Sequence, residues 1–195
     1  MLFNPADVHA IGNVVTRWGA FEHWFDDHLA DLRASPVVAA EELKIPSAFR
    51  KRARLMKRSA RIAFARSPVL VKRICDVVSR AMILAQHRNR LTHGVIWGGG
   101  PLDEGKTLYI NIREQRALRI YTATCAEIEA LFLDISKMEH DLNTLLFGWG
   151  AGDIAKTHLT LPEREVLQSF HKTYLESRRP PIETKAPRQH PSFRS

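Results

Sequence analysis

Apolar residues recur at spacings of three, four and seven through four long stretches of this chain, and that periodicity limits its fold more than any other feature. Over residues 5–33, Val8, Ile11, Val15, Trp18, Phe25, Leu29 and Leu32 make one helical stripe, with the carboxylate of Glu22 set into it. Pro36 marks the break that follows. Over residues 47–66, Phe49, Ala53, Met56, Ala60 and either Ala63 or Phe64 share a face, and Ser47 stands as N-cap. Residues 68–93 repeat Leu70, Ile74, Val77, Ala81 and Leu84, with Ser67 as N-cap, Pro68 at the first helical position and Gly94 as the stop. Residues 125–147 carry Ile128, Leu131, Ile135, Met138, Leu142 and Leu145 behind a Thr124–Glu127 capping box, and end at Gly148.

Each stripe must be covered by another element, so four such segments joined by short links predict an all-α fold, an up-and-down four-helix bundle. Residues 95–121 break the helical period. Val95-Ile96-Trp97 is β-like, Gly98-Gly99-Gly100-Pro101 and Asp103-Glu104-Gly105 are turn material, and Leu108, Ile110 and Ile112 alternate in the strand manner. This predicts a β-hairpin inserted between helices three and four, with residues 118–121 as a candidate third strand. The expected organisation is a bundle over 1–150 including the insert, a C-terminal unit over 151–177 with a short helix at 162–177, and a disordered, proline-rich tail over 178–195.

Charge is distributed unevenly. The chain has a net charge of +8, yet between Leu43 and Leu102 there are fourteen Lys and Arg and one acid, Asp76. A face this one-sided attracts polyanions and speeds their arrival. Arg50, Lys51, Arg54, Lys57, Arg58 and Arg61 on the second helix, with Arg90 on the third, are the expected RNA-binding residues. A solvated basic face, or a docking patch for an acidic partner such as an antitoxin, is the competing reading.

Several classes find no support. No apolar run reaches the length of a membrane span, and the first residues do not read as a signal peptide, so the expected setting is the cytoplasm, away from membranes. Cys75 and Cys125 fall in predicted helices and read as small packed residues. His9, His23 and His28 lack the converging spacing of a zinc site. No phosphate-cradling glycine loop and no nucleophile elbow is present, so neither a cofactor nor a metal is expected.

The segment Arg88-Asn89-Arg90-Leu91-Thr92-His93-Gly94 is the candidate site. Arg88 falls where the third stripe calls for an apolar residue, and a buried guanidinium is costly unless it is paired or hydrated. Glu22 is a candidate partner for Arg88 or for another arginine of the bundle, with an edge residue tilted into solvent as the competing reading. Asn89 and His93, four apart, share a helix face, whereas Arg88 and His93 lie about 140° apart on an ideal helix. Three other pairs have a similar spacing: Arg17 with His23, Arg80 with His87, and Arg164 with His171. Only Arg88 combines an uncharged polar follower with a helix-end position and a glycine stop.

On those residues the chain resembles the HEPN domains, whose Arg-x(4–6)-His motif closes the third helix of a four-helix bundle. The resemblance covers about residues 5 to 148. It implies an endoribonuclease that needs no metal and works as a homodimer, with two motifs meeting in one composite site. Arg88, Asn89 and His93 then carry over as catalytic residues. A toxin or defence effector is the setting this implies. A non-catalytic HEPN-like module that binds nucleic acid or a protein is the alternative. The residue types suit the chemistry: histidine exchanges protons near neutrality, and an arginine fork matches phosphate oxygens.

Overall fold

Asn4 and Pro5 start the first helix for identifiable reasons. Asn4 Oδ1 accepts a hydrogen bond from the Ala6 amide at 3.0 Å, and the Asn4 carbonyl accepts from Asp7. Pro5 sits in the first turn, where its missing N–H costs nothing. The computed structural model describes residues 4–34, 38, 44–97, 107–114, 117–147 and 165. The expected break at Pro36, the turn over 98–105, the stop at Gly148, the helix over 162–177 (apart from Glu165) and the tail over 178–195 lie outside these residues.

The elements run α1 (Pro5–Ala34), α2 (Phe49–Ala63), α3 (Pro68–His93), β1 (Val95–Trp97), β2 (Thr107–Glu114), β3 (Ala117–Thr124) and α4 (Cys125–Phe147). The described residues are mostly helical, with one small antiparallel sheet ordered β1-β2-β3. The insert is therefore a three-stranded sheet reaching Thr124, larger than the hairpin expected over 95–121. β3 pairs along all eight of its residues with β2, from Glu114↔Ala117 to Thr107↔Thr124, so the alternation does not stop at Tyr121. None of the described helices is long and apolar enough to cross a membrane.

α1 packs on α2 and α4, and α3 packs on α2 and α4. The apolar stripes of α3 and α4 are buried nearly as the periodicity predicts, with Val78 replacing Val77 at the centre of α3. α1 differs more. Val8 and Val15 are exposed, while Ala10, Val14, Trp18, Phe21, Phe25, Leu29 and Leu32 are buried. Aromatic area decides this rotation. Phe21 is the hub of a cluster, with ring centroids 5.1 Å from Trp18, 5.6 Å from Phe25 and 6.0 Å from Phe49. Burying a phenyl ring removes more apolar surface from water than burying a valine, so the helix turns its aromatic edge inward.

Rotating α1 leaves Glu22 half-buried beside α2. Arg52 takes it, with Nη2 at 2.5 Å from Glu22 Oε1 and Nη1 at 2.6 Å from Asp26 Oδ2. The partner of Glu22 is thus Arg52, not Arg88. Burial outweighs the Arg52 charge at Asp26 and raises its carboxyl above the usual range. Arg17 bridges to Glu139 at 3.0 Å and Arg80 to Asp134 at 2.6 Å, tying α1 and α3 to α4. Two of the competing Arg–His pairs thereby spend their arginines on helix–helix ion pairs.

Helix ends are only partly as expected. Thr124 and Glu127 form the capping box, with the Thr124 amide at 2.7 Å from Glu127 Oε2 and the Glu127 amide at 3.2 Å from Thr124 Oγ1. Those donors hold the Glu127 carboxyl below its usual range. α2 starts one residue later than a Ser47 cap requires: its N-cap is Ala48, without a side-chain bond. Phe49 docks on Trp18 and Phe25, and this packing sets the start of the helix.

Gly94 ends α3, but in an extended conformation (φ −80°, ψ 149°), not the left-handed one usual for a glycine stop. Its smallness matters for another reason. A Cβ there would press on Ile110 Cγ2 and lie 2.6 Å from the Arg90 carbonyl oxygen. The glycine lets β2 lie directly against the end of α3. Gly94→Ala should destabilise the fold by about 1–3 kcal/mol, the usual cost of overpacking, and a lowered midpoint in urea unfolding would register it.

Candidate functional site

The last two turns of α3 carry the site. Arg88 is half-buried, and its Nη1 donates to Asn89 Oδ1 at 2.9 Å. Its Nε is buried without a hydrogen-bond partner, and among the described residues Arg88 enters no ion pair. Thr92 Oγ1 donates to the Arg88 carbonyl at 3.2 Å and lies 3.4 Å from the Asn89 carbonyl, so this turn is tied by its own side chain.

His93 is exposed. With Gln86, Asn89, Arg90 and Ile112 it lines an open depression of about 380 Å³. Positions 86, 89, 90 and 93 follow helical spacing, so one face of α3 supplies four of these five residues, and β2 supplies the fifth. Asn89 and His93 thus share a face, as their spacing predicts, although among the described residues no hydrogen bond joins them. Arg88 does not line the depression. It reaches this surface through Asn89, whose carbonyl oxygen it occupies, and Arg90 is the arginine beside His93. The 140° offset between Arg88 and His93 is therefore retained: α3 stays regular to its end, because Gly94 is extended and releases no unwound turn.

A second, larger cleft of about 430 Å³ opens on the other side of Arg90, between α3, β2, β3 and the start of α4. Leu84, Leu91, Ile110 and Ile128 contribute its apolar lining, and His87, Arg90, Tyr121, Glu127 and Asp134 its polar groups. The Arg90 guanidinium carbon lies 4.1 Å above the Tyr121 ring centroid, a cation–π stack. Burial against the cleft, and next the Arg90 charge, hold His87 below the ordinary histidine range. This cleft was not foreseen from the sequence. The structure pairs Ile110 with Tyr121, and strand alternation turns both to the face that packs on the helices.

The basic residues of α2 divide into two groups. Arg50, Lys51, Arg54, Arg58 and Arg61 are exposed. Arg50, Arg54 and Arg58 follow one another at four-residue steps, about 6 Å apart along the axis. Lys57 differs from its expected role: its Nζ donates to Ser79 Oγ at 2.6 Å, and Ser79 donates in turn to the Cys75 carbonyl at 2.7 Å. It fastens α2 to α3 and does not belong to the outward stripe. Arg52, ion-paired toward α1, is likewise turned inward. The outer face of the sheet carries exposed Val95, Tyr109, Leu118 and Ile120. Comparison with known protein families, with curated proteins and with solved structures finds no match to this chain.

Proposed function

We propose that this protein is a HEPN-like endoribonuclease that cleaves RNA without a metal, by attack of the ribose 2′-OH on the adjacent phosphate. The observation that carries the reading is the end of α3. There a half-buried arginine with no carboxylate partner among the described residues bonds to Asn89, and Asn89 shares an open depression with an exposed histidine and a second arginine. An arginine that served only to stabilise the bundle would be expected in a closed ion pair, as Arg17, Arg52 and Arg80 are.

The chemistry divides among the residues as follows. His93 takes the 2′-hydroxyl proton, or supplies one to the departing 5′-oxygen. Arg88 holds the phosphate oxygens as negative charge builds on them, and Arg90, beside His93, helps to bind the substrate. Asn89 is a positioning residue that aims the Arg88 fork. One histidine supplies one proton transfer, so a two-fold homodimer that joins two such helix ends supplies both. The apolar outer face of the sheet begins at Val95, two residues after His93, and offers surface for that contact.

The pattern of helix contacts supports an up-and-down bundle. With α2 antiparallel to α3, Lys57 opposite Ser79 brings Arg50 and Lys51 beside the turn that carries His87 and Arg88. Exposed cations on α2 then lead toward the depression and would guide RNA to it.

Incubating the purified protein with end-labelled RNA in EDTA tests the reading. Products ending in a 2′,3′-cyclic phosphate are expected. Salt-sensitive binding of intact RNA with no cleavage would replace this reading with that of an RNA-binding module, and a docking surface for an acidic protein remains if RNA is neither bound nor cut.

A further inference from the structure

We propose that the cleft between α3, β2, β3 and α4 is a nucleobase site that prefers guanine. Its biological use rests on the RNA reading above, since Arg90 lines both this cleft and the depression that holds His93. One base and its neighbouring phosphate could thus be held on the two sides of a single arginine.

Three features argue for a base. The volume, about 430 Å³, falls in the range of small-ligand pockets. Leu84, Leu91, Ile110 and Ile128, with the less buried Ala123 and Leu131, form an apolar lining, which suits the faces of a heterocycle. The Tyr121 ring, 4.1 Å from the Arg90 guanidinium carbon, fixes the orientation of a planar donor group at the cleft.

The polar groups favour guanine. Guanine presents two acceptors, O6 and N7, along one edge and the N1–H and N2–H donors along another. An arginine fork reads O6 and N7 as a pair. Glu127 and Asp134 line the cleft, and each has one carboxylate oxygen committed elsewhere. Glu127 Oε2 accepts from Thr124, and Asp134 Oδ1 accepts from Arg80. Glu127 Oε1 is an acceptor for guanine's donor edge, whereas Asp134 stands about 10 Å further along α4 and does not share that edge. Uracil has only its N3–H to offer between two carbonyl oxygens. Adenine and cytosine each present one amino group and no adjacent ring N–H. Burial, and next the Arg90 charge, lower the His87 pKa, which favours the uncharged ring beside the guanidinium.

Calorimetric titration of the full chain with the four nucleoside 5′-monophosphates tests this, because the phosphate is common to all and only the base differs. GMP is expected to bind at least tenfold tighter than AMP, CMP or UMP. Ala123→Trp, which fills the cleft, should abolish that preference. Glu127→Gln retains the capping box, since glutamine serves at that position, but removes the carboxylate, and it should bring the four nucleotides within about threefold of one another. Equal binding of all four, no binding at millimolar concentration, or an unchanged preference in Glu127→Gln would overturn the proposal. The readout is binding alone. A protein that selects GMP but cuts no RNA would sink the ribonuclease reading and leave this one standing.

Discussion

His93→Ala is expected to lower RNA cleavage by about 10²–10⁴-fold, the contribution usual for one positioned general acid or base. The substitution removes an exposed ring at a helix end, so the fold should be unaffected and unfolding curves should overlay. Arg88→Ala should lower the rate on the order of 10²–10³-fold, as loss of one preorganised donor to a developing charge does. Initial rates on end-labelled RNA measure both. Arg88→Lys is informative here because lysine retains the charge and loses the fork. A rate close to that of Arg88→Ala would assign the effect to aimed hydrogen bonds to Asn89 and phosphate. Arg90→Ala separates the two arginines. It lies beside His93 and stacks on Tyr121, so its loss should weaken substrate binding more than the chemical step. Unchanged cleavage in both His93→Ala and Arg88→Ala would end the ribonuclease reading.

Phe21→Ala should destabilise the protein by about 3–5 kcal/mol, a large share of the stability of a domain this size. Phe21 is fully buried and its ring meets Trp18, Trp24, Phe25 and Phe49, so alanine leaves a cavity where α1 and α2 meet. Val15→Ala is the control. Val15 belongs to the stripe read from periodicity but is 36% exposed, and its truncation should stay within about 0.5 kcal/mol. Urea unfolding midpoints at constant slope compare the two directly. Equal losses would mean that α1 presents the other edge to the core.

These two experiments separate local from tertiary information. Spacing located α1, α3 and α4 nearly to the residue, because an apolar stripe must be covered and its period reports the helix directly. The Thr124–Glu127 box was legible for the same reason: both partners lie within one turn. So was the shared face of Asn89 and His93, which follows from a step of four. The rotation of α1 was not. Between Trp18 and Phe25 the helical period admits either position 21 or position 22, and packing against Phe49 of α2 decides which turns inward.

The division holds at the site. The sequence by itself determined the helices and their stripes, the basic balance of residues 43–102, and an arginine out of place at the end of α3. Tertiary structure alone decided that Glu22 belongs to Arg52, that Lys57 is spent on Ser79, that Arg90 lies over Tyr121, and that Gly94 is small to admit β2. The physical reason is reach. Stripes and caps depend on residues within one or two turns, which a sequence shows side by side. Ion pairs, stacks and clefts depend on which distant segment arrives opposite, and packing of the large apolar groups settles that before any charge finds its partner.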